Sequence, residues 1–120
     1  NLDCIVNLDL LPGIDAFYYE PFYQFMRQQF LAARMEAARE LGADVVSLLH
    51  ISPNANYDFK RITSPLLNGL GATPTEIWTK LVKTEGRFVS VHVEDLFRGF
   101  ATDEMQGWKA YMQDRYTWLG

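Results

Sequence analysis

The stretch YYEPFYQFMRQQFLA, residues 18–32, decides how the rest of the chain is interpreted, because it opens the longest helical pattern in the sequence. Residues from Glu20 to Leu41 are good helix formers, and Pro21 is tolerated in a first turn, where its missing N–H would be unpaired anyway. Apolar residues recur at steps of three and four: Phe22, Phe25, Met26, Phe30, Ala33, Ala37 and Leu41. Gly42 follows at a C-terminal capping position. We therefore predict a helix over residues 20–41 with its phenylalanines in the core.

A polar stripe runs beside this apolar face. Glu20, Gln24, Arg27 or Gln28, and then Arg34 share one side of a helix with 3.6 residues per turn. Planar amide and guanidinium groups at the same height along a helix can form hydrogen bonds with phosphate oxygens and base edges. The alternative is a solvated helix face whose polar groups bond locally. Both interpretations remain open at this point.

The flanking segments predict an α/β order. Residues 2–10 nearly alternate between apolar and polar and predict a first strand, and the apolar run Val45–Ile51 predicts a strand covered on both faces. Thr73 and Glu76 form a capping box that starts a second helix, and residues 87–93 predict a third strand. A short helical turn at residues 94–100 and a last helix capped by Thr102 complete the order. Alternating strands and helices predict the α/β class.

Length and composition limit the classes of protein. At 120 residues and 13.8 kDa the chain is expected to form one domain. Its net charge of -4 and pI near 5.0 give no overall basic surface for nucleic acid, so any such contact must be local. A single cysteine, Cys4, with two histidines is a poor set for zinc and fits a reducing cytoplasm. No apolar run is long enough to span a membrane.

A second candidate site follows the buried strand. His50 ends the apolar run, and the loop after it concentrates polar residues: Asn54, Asn56, Asp58, Lys60 and Arg61. α/β proteins commonly bind ligands at the carboxyl ends of their strands. Loops are usually polar simply because they are exposed to solvent. The alternative is therefore a solvated loop without a binding function. No nucleophile with its base, no paired carboxylates and no phosphate loop occur at convincing spacing.

Several segments in order resemble the distal half of a bacterial group of the PD-(D/E)XK nuclease superfamily, the restriction-endonuclease-like proteins. They are FYYEPFYQFMRQQFLAARME, VVSLLHISPNAN, IT, EIWTKLV and RFVSVHVEDLF, which together lie within residues 17–100. The most specific part is the Y-x-P-x-Y-Q-x-x-R-Q-Q block from Tyr19 to Gln29.

The resemblance implies a mixed central sheet flanked by helices and Mg²⁺-dependent hydrolysis of DNA. In such proteins the helix after the catalytic strands often carries a glutamine or tyrosine that faces the site. Gln24, Arg27 and Gln28 match this helix, and Glu20 matches an acidic position near its start. On this basis Glu20, Gln24 and Gln28 are the candidate catalytic residues. Arg27, Lys60 and Arg61 are the candidate nucleic-acid contacts.

The chain departs from that pattern in its carboxylates. A metal-binding Asp and a Glu-x-Lys or Asp-x-Lys motif are expected before the helix, but neither Asp3 nor Asp9 is followed by x-Lys. Asp58-Phe59-Lys60 matches Asp-x-Lys, but it comes after the helix and in a loop. This position favours a chance match over a catalytic motif. Mg²⁺ is therefore expected only if an upstream motif exists, and the chain is expected to be part of a larger nuclease-like domain or a decayed one.

Two hypotheses follow about partners. The first is a nuclease-like domain that acts on DNA and depends on a missing N-terminal segment or a protein partner for its carboxylates. The rival is a noncatalytic α/β protein-interaction module. A large exposed aromatic patch favours the rival, whereas Arg27, Gln28, Lys60 and Arg61 around one cleft favour nucleic acid.

Overall fold

A computed structural model describes residues 2–99 and 103–119, and its elements confirm the predicted α/β class. The helices are α1 (Phe22–Ala37), α2 (Pro74–Leu81), α3 (Val93–Arg98) and α4 (Gln106–Arg115). The strands are β1 (Leu48–Ser52) and β2 (Phe88–His92), which pair as a parallel two-stranded sheet. Within the described ranges, no helix has the length and apolar content needed to cross a bilayer.

The chain divides into two compact units. Unit 1 consists of Asn1–His50 and Tyr57–Ser90, and unit 2 consists of Ile51–Asn56 and Val91–Gly120. Unit 1 holds α1 and α2, while unit 2 holds α3 and α4. That the whole chain forms one domain stays a prediction.

The core of unit 1 is aromatic and centres on Trp78, of which only 1% is exposed. Its indole lies 5.3 Å from the Phe17 ring in an edge-to-face contact and 5.8 Å from the Phe25 ring, measured between centroids. Phe25 also lies 5.3 Å from Phe88 on β2. Aromatic side chains bury large apolar areas, so this cluster is the main source of stability in the unit. The buried residues of this cluster are Val6, Ala16, Phe17, Phe22, Phe25, Leu67, Ile77, Trp78, Leu81, Val82 and Phe88.

Helix α1 confirms the predicted apolar face at Phe22 and Phe25 but ends four residues before the predicted end. Arg39 and Leu41 adopt left-handed backbone conformations, with φ of 50° and 56°, and this breaks the helix after Ala37. Leu41 is 99% exposed, so the apolar repeat that predicted the helix does not reach the core at this residue. The early reversal allows the backbone N–H of Val46 to donate to the Glu36 carboxylate at 2.9 Å.

Helix α2 begins as its sequence predicts. The Thr73 hydroxyl accepts a hydrogen bond from the Glu76 N–H at 3.3 Å, and the Glu76 carboxylate accepts one from the Ala72 N–H at 2.9 Å. Pro74 occupies the first turn. The Thr73 bond satisfies one backbone donor that the helix start leaves unpaired and confirms Thr73 as the N-cap. Glu76 accepts from Ala72, one residue before the cap, and not from the Thr73 N–H, so the second bond of the predicted capping box is absent.

The predicted first strand at residues 2–10 is wrong. Residues Leu2–Cys4 form a 3-10 turn, and only Val6 pairs with another segment, in an antiparallel bridge to Val82. The Asn7 side chain then accepts a hydrogen bond from the Asp9 N–H at 3.1 Å. Such a local turn competes with strand pairing, because the side chain satisfies the backbone in place of a neighbouring strand.

Strand β1 lies where the apolar run predicts a strand but is not covered on both faces. Leu49 is 53% exposed, and Val89 on β2 is 41% exposed. Alternate residues of a strand point to opposite faces, so a single half-buried face explains why partly buried and exposed residues alternate along β1. The strand predicted at residues 87–93 is confirmed as β2.

Unit 2 has a smaller core. Phe97 and Leu119 are buried, and the Phe97 ring lies 5.7 Å from the Trp108 ring. The Glu94 carboxylate accepts the Asn54 N–H through both oxygens at 3.1 Å. None of the residues of α4 is buried. Thr102, the predicted cap of this helix, lies outside the described residues.

Candidate functional site

The predicted polar stripe forms an exposed face of α1. Gln24, Arg27 and Gln28 are exposed on this helix, and Arg34 follows two turns after Arg27 on the same side. We call Gln24, Arg27, Gln28 and Arg34 the polar face of α1. One helix thus brings together three of the six predicted site residues.

The polar face of α1 carries two arginines that form no ion pair among the described residues. No Asp or Glu occurs in α1 before Glu36, and Arg27 forms no ion pair with any described residue. The guanidinium of Arg27 lies 5.6 Å from the centroid of the Tyr23 ring, which is also exposed. A cation–π contact of this kind fixes the side chain while leaving its donors to solvent. The face therefore presents planar donors to an anionic partner.

Glu20 lies outside the helix that carries the other residues. Its carbonyl accepts a hydrogen bond from the Thr63 hydroxyl at 3.0 Å, and a cis peptide bond joins it to Pro21. Its side chain is exposed. A catalytic role for Glu20, Gln24 and Gln28 stays a prediction.

Lys60 and Arg61 lie in a loop of unit 1, as predicted. The Lys60 ammonium lies 5.3 Å from the centroid of the Tyr57 ring, and Arg61 is exposed. Backbone hydrogen bonds from Lys60 N to the Tyr57 carbonyl at 3.1 Å and from Arg61 N to the Asp58 carbonyl at 3.3 Å form tight turns here. Their clustering with Arg27 around one cleft stays a prediction.

His50 packs against the core of unit 1. Its ring stacks on Phe59 at 4.8 Å and meets Phe25 edge-to-face at 5.5 Å. Its Nδ1 lies 3.1 Å from the Ser90 hydroxyl on the neighbouring strand. Phe59 is the middle residue of Asp58-Phe59-Lys60, and its packing against His50 gives this segment a structural role.

Gln29, which is not among the predicted site residues, is the buried polar residue of α1. Only 2% of Gln29 is exposed. Its Nε2 donates to the Arg87 carbonyl at 2.9 Å, and its Oε1 accepts the Trp78 indole N–H at 3.2 Å. Gln29 comes four residues after Phe25 and seven after Phe22, so the helical period alone places it on the apolar face. That spacing is the signal that could have identified it.

Glu36 and Arg87 form an ion pair beside Gln29. Arg87 Nε lies 2.7 Å from Glu36 Oε1, and Arg87 Nη2 donates to Glu36 Oε2 at 3.3 Å. The Val46 N–H and then the Arg87 guanidinium stabilise the carboxylate, so the pKa of Glu36 lies below its ordinary value. The pair borders a cavity with an empty volume of about 360 Å³. The cavity is lined by Cys4, Ile5, Gln29, Ala33, Glu36, Val46, Val82, Thr84 and Arg87.

Replacing Glu36 with glutamine is expected to flatten the acid dependence of stability. A carboxylate whose pKa is lowered on folding stabilises the fold above its unfolded pKa, near 4.5, and this contribution is lost as pH falls through the folded value. The difference in free energy of unfolding between wild type and Glu36→Gln should therefore shrink between pH 6 and pH 3, as measured by urea unfolding. Glu85→Gln, an exposed change in the turn before β2, is the control. Parallel curves for wild type and Glu36→Gln would contradict the role of this carboxylate.

The structure does not provide a metal site among the described residues. Within residues 2–99 and 103–119, no three His, Cys, Asp or Glu side chains lie together as ligands for an ion. Mg²⁺ prefers several well-placed oxygen ligands. These residues therefore do not fit the Mg²⁺ that the resemblance implies.

Comparison with known families identifies the class. A family model described as Restriction Endonuclease associating with ARP matches residues 8–117, which is most of the chain. The chain belongs to this family and is thus a restriction-endonuclease-related domain. No curated protein and no solved structure matches the chain significantly.

Proposed function

We propose that this chain is the DNA-facing part of a restriction-endonuclease-like protein of the PD-(D/E)XK type. Family membership supports a role in a restriction system. Because the described residues hold no metal cluster, hydrolysis in this proposal depends on carboxylates other than those described. Glu20, Gln24 and Gln28 then face the reacting phosphate, and Arg27, Lys60 and Arg61 contact the DNA backbone.

The observation that carries the proposal is the uncompensated charge on the polar face of α1. Arg27 and Arg34 are seven residues apart, which corresponds to about 10 Å along a helix axis. Gln24 and Gln28 add amide donors on the same side, and all four side chains are exposed. Arginine forks bind phosphate oxygens in a bidentate manner, so this face can contact two phosphates of one strand.

Each arginine of this face is expected to contribute to the salt dependence of DNA binding. A protein cation that neutralises one phosphate changes the slope of log K against log salt by about 0.9. Arg27→Gln and Arg34→Gln should each reduce the slope by about that amount, and the double variant by about twice as much. Fluorescence anisotropy of a short labelled duplex between about 50 and 200 mM NaCl measures the slopes.

The matched control is Arg98→Gln. Arg98 is exposed in α3 but pairs with Asp95, so the substitution removes the same charge from a neutralised site. We expect the slope to change less for Arg98→Gln than for either α1 variant. Equal slopes for wild type and the double variant would exclude α1 as the DNA contact.

A further inference from the structure

The cavity of unit 1 lies against one side of α1. Three of its lining residues, Gln29, Ala33 and Glu36, follow one another at steps of four and three residues and share that side of the helix. The helical period of 3.6 residues places Arg27 and Arg34 on a different side. We call this space the Gln29 cavity, and all of its lining residues belong to unit 1. It is therefore separate from the polar face of α1.

The Gln29 cavity has the space for a small organic molecule. Its empty volume of about 360 Å³ opens to solvent beside the exposed residues Cys4 and Thr84. An apolar cavity of about 150 Å³ binds one benzene molecule, whereas a water molecule accounts for only about 30 Å³ of the liquid. Apolar side chains of Ile5, Val46 and Val82 line the walls. The cavity can therefore take one flat ring with a few substituents.

The polar groups of the Gln29 cavity retain more donors than acceptors. Gln29 Nε2 donates one hydrogen to the Arg87 carbonyl, and its second N–H has no acceptor among the described residues, although Gln29 is only 2% exposed. Arg87 bonds Glu36 through Nε and Nη2, so Nη1 bonds no described residue. Glu36 Oε2 accepts from Arg87 and has a second lone pair. A ligand that satisfies these groups needs carbonyl acceptors and one donor.

The charges that line the Gln29 cavity cancel. Glu36 and Arg87 are the charged residues among its lining residues, and they pair with each other. The Val46 N–H and then the Arg87 guanidinium lower the pKa of Glu36, so its carboxylate stays ionised at neutral pH. An anion at Arg87 would be repelled by Glu36, and a cation at Glu36 would be repelled by Arg87. The cavity therefore favours a neutral ligand.

We propose that the Gln29 cavity binds a neutral heterocycle in which two carbonyls flank a ring N–H, as in uracil. The carbonyls accept from the Gln29 amide and the Arg87 guanidinium, and the ring N–H between them donates to Glu36 Oε2. The ring packs against the apolar walls. This site goes beyond the DNA contact of α1 and does not depend on it.

Titration of the ¹⁵N-labelled 120-residue chain with uracil tests the proposal. We expect saturable chemical-shift changes at the Gln29 side-chain amide and at Arg87 Nε, and little change at Arg27 Nε. Two methylated uracils then test the hydrogen-bonding edge on the wild-type chain. Methylation of the nitrogen between the carbonyls removes the donor to Glu36 and should weaken binding by about tenfold or more, because that bond involves a charged group. Methylation of the other ring nitrogen leaves the edge intact and should leave the affinity close to that of uracil.

Ala33→Leu tests the location, because the larger side chain fills the cavity without removing a hydrogen bond. We expect it to abolish the saturable changes at Gln29. Ala37→Leu, one turn later and exposed on α1, is the matched control and should bind uracil as wild type does. Far-ultraviolet circular dichroism checks that both variants fold, and the two methylated uracils test the proposal even if Ala33→Leu does not.

Three outcomes would overturn the proposal. The first is the absence of saturable changes at Gln29 and Arg87 with uracil, which would leave the cavity to water. The second is equal affinity for the two methylated uracils, which would mean that Glu36 accepts no bond from the ring. The third is saturable changes at these groups with acetate but not with uracil, which would identify an anion site.

Discussion

Replacing Trp78 with alanine is expected to lower the free energy of unfolding of the chain by about 3–5 kcal/mol. The indole is 1% exposed and contacts both Phe17 and Phe25, so its loss leaves a cavity between packed rings. It also removes the indole N–H that donates to Gln29 Oε1 at 3.2 Å and leaves a buried acceptor unpaired. Urea unfolding followed by far-ultraviolet circular dichroism measures the change without relying on tryptophan fluorescence.

Trp118→Ala is the matched control for this experiment. Trp118 is 48% exposed, so the same deletion creates no buried cavity there. Its effect on the free energy of unfolding should be within about 1 kcal/mol, in the range of ordinary surface substitutions. Similar losses for Trp78→Ala and Trp118→Ala would contradict the central position of Trp78 in the core.

The helices could be predicted from the sequence because their signals are local. The capping residues Thr73 and Glu76 lie three positions apart, and the structure confirms Thr73 as the N-cap that accepts the Glu76 N–H. The end of α1 depends instead on a distant contact. The chain turns back at Arg39, and the Val46 N–H then donates to the Glu36 carboxylate. The helix propensities of single residues do not include such a contact.

The first strand shows the same limit for sheets. Residues 2–10 alternate as a half-buried strand does, but a strand also requires a neighbour with which to pair. In the structure only Val6 pairs, with Val82 far along the chain, and Leu8 and Leu10 are exposed. Alternation indicates which residues could face a core, whereas pairing is decided by tertiary contacts.

The exposure of the candidate residues on α1 could be predicted from the sequence, whereas their roles stay predictions. Exposure of Gln24, Arg27 and Gln28 follows from the 3.6-residue period and needs no structure. The structural role of Gln29 could not be predicted, because a glutamine on an apolar helix face has no evident function until its hydrogen-bond partners are known. Those partners, Trp78 and the Arg87 carbonyl, lie 49 and 58 residues away in sequence.

Gln29→Leu is accordingly expected to be strongly destabilising, although leucine is apolar and similar in size. The substitution leaves the Trp78 indole N–H and the Arg87 carbonyl without the hydrogen bonds that Gln29 makes. The Arg87 carbonyl still accepts the Leu48 N–H at 2.8 Å, so only the Trp78 indole N–H is left unpaired. An unpaired buried donor costs about 1–3 kcal/mol, and a loss of that size in the free energy of unfolding is expected. Gln28→Leu, one position earlier and exposed, should change the free energy of unfolding by less than about 1 kcal/mol.

A double-mutant cycle with Trp78→Phe separates the hydrogen bond from general packing. Phenylalanine retains an aromatic ring at position 78 but has no N–H, so in this background Gln29→Leu leaves no indole donor unpaired, and the Arg87 carbonyl keeps its bond from the Leu48 N–H. The cost of Gln29→Leu should then fall by about 1–3 kcal/mol, which is the coupling energy between the two side chains. Equal costs of Gln29→Leu in the two backgrounds would mean that the indole N–H and the Gln29 amide contribute independently. In that case, burial of the apolar face of α1 would hold Gln29 in place, and the hydrogen bond between Gln29 and Trp78 would not.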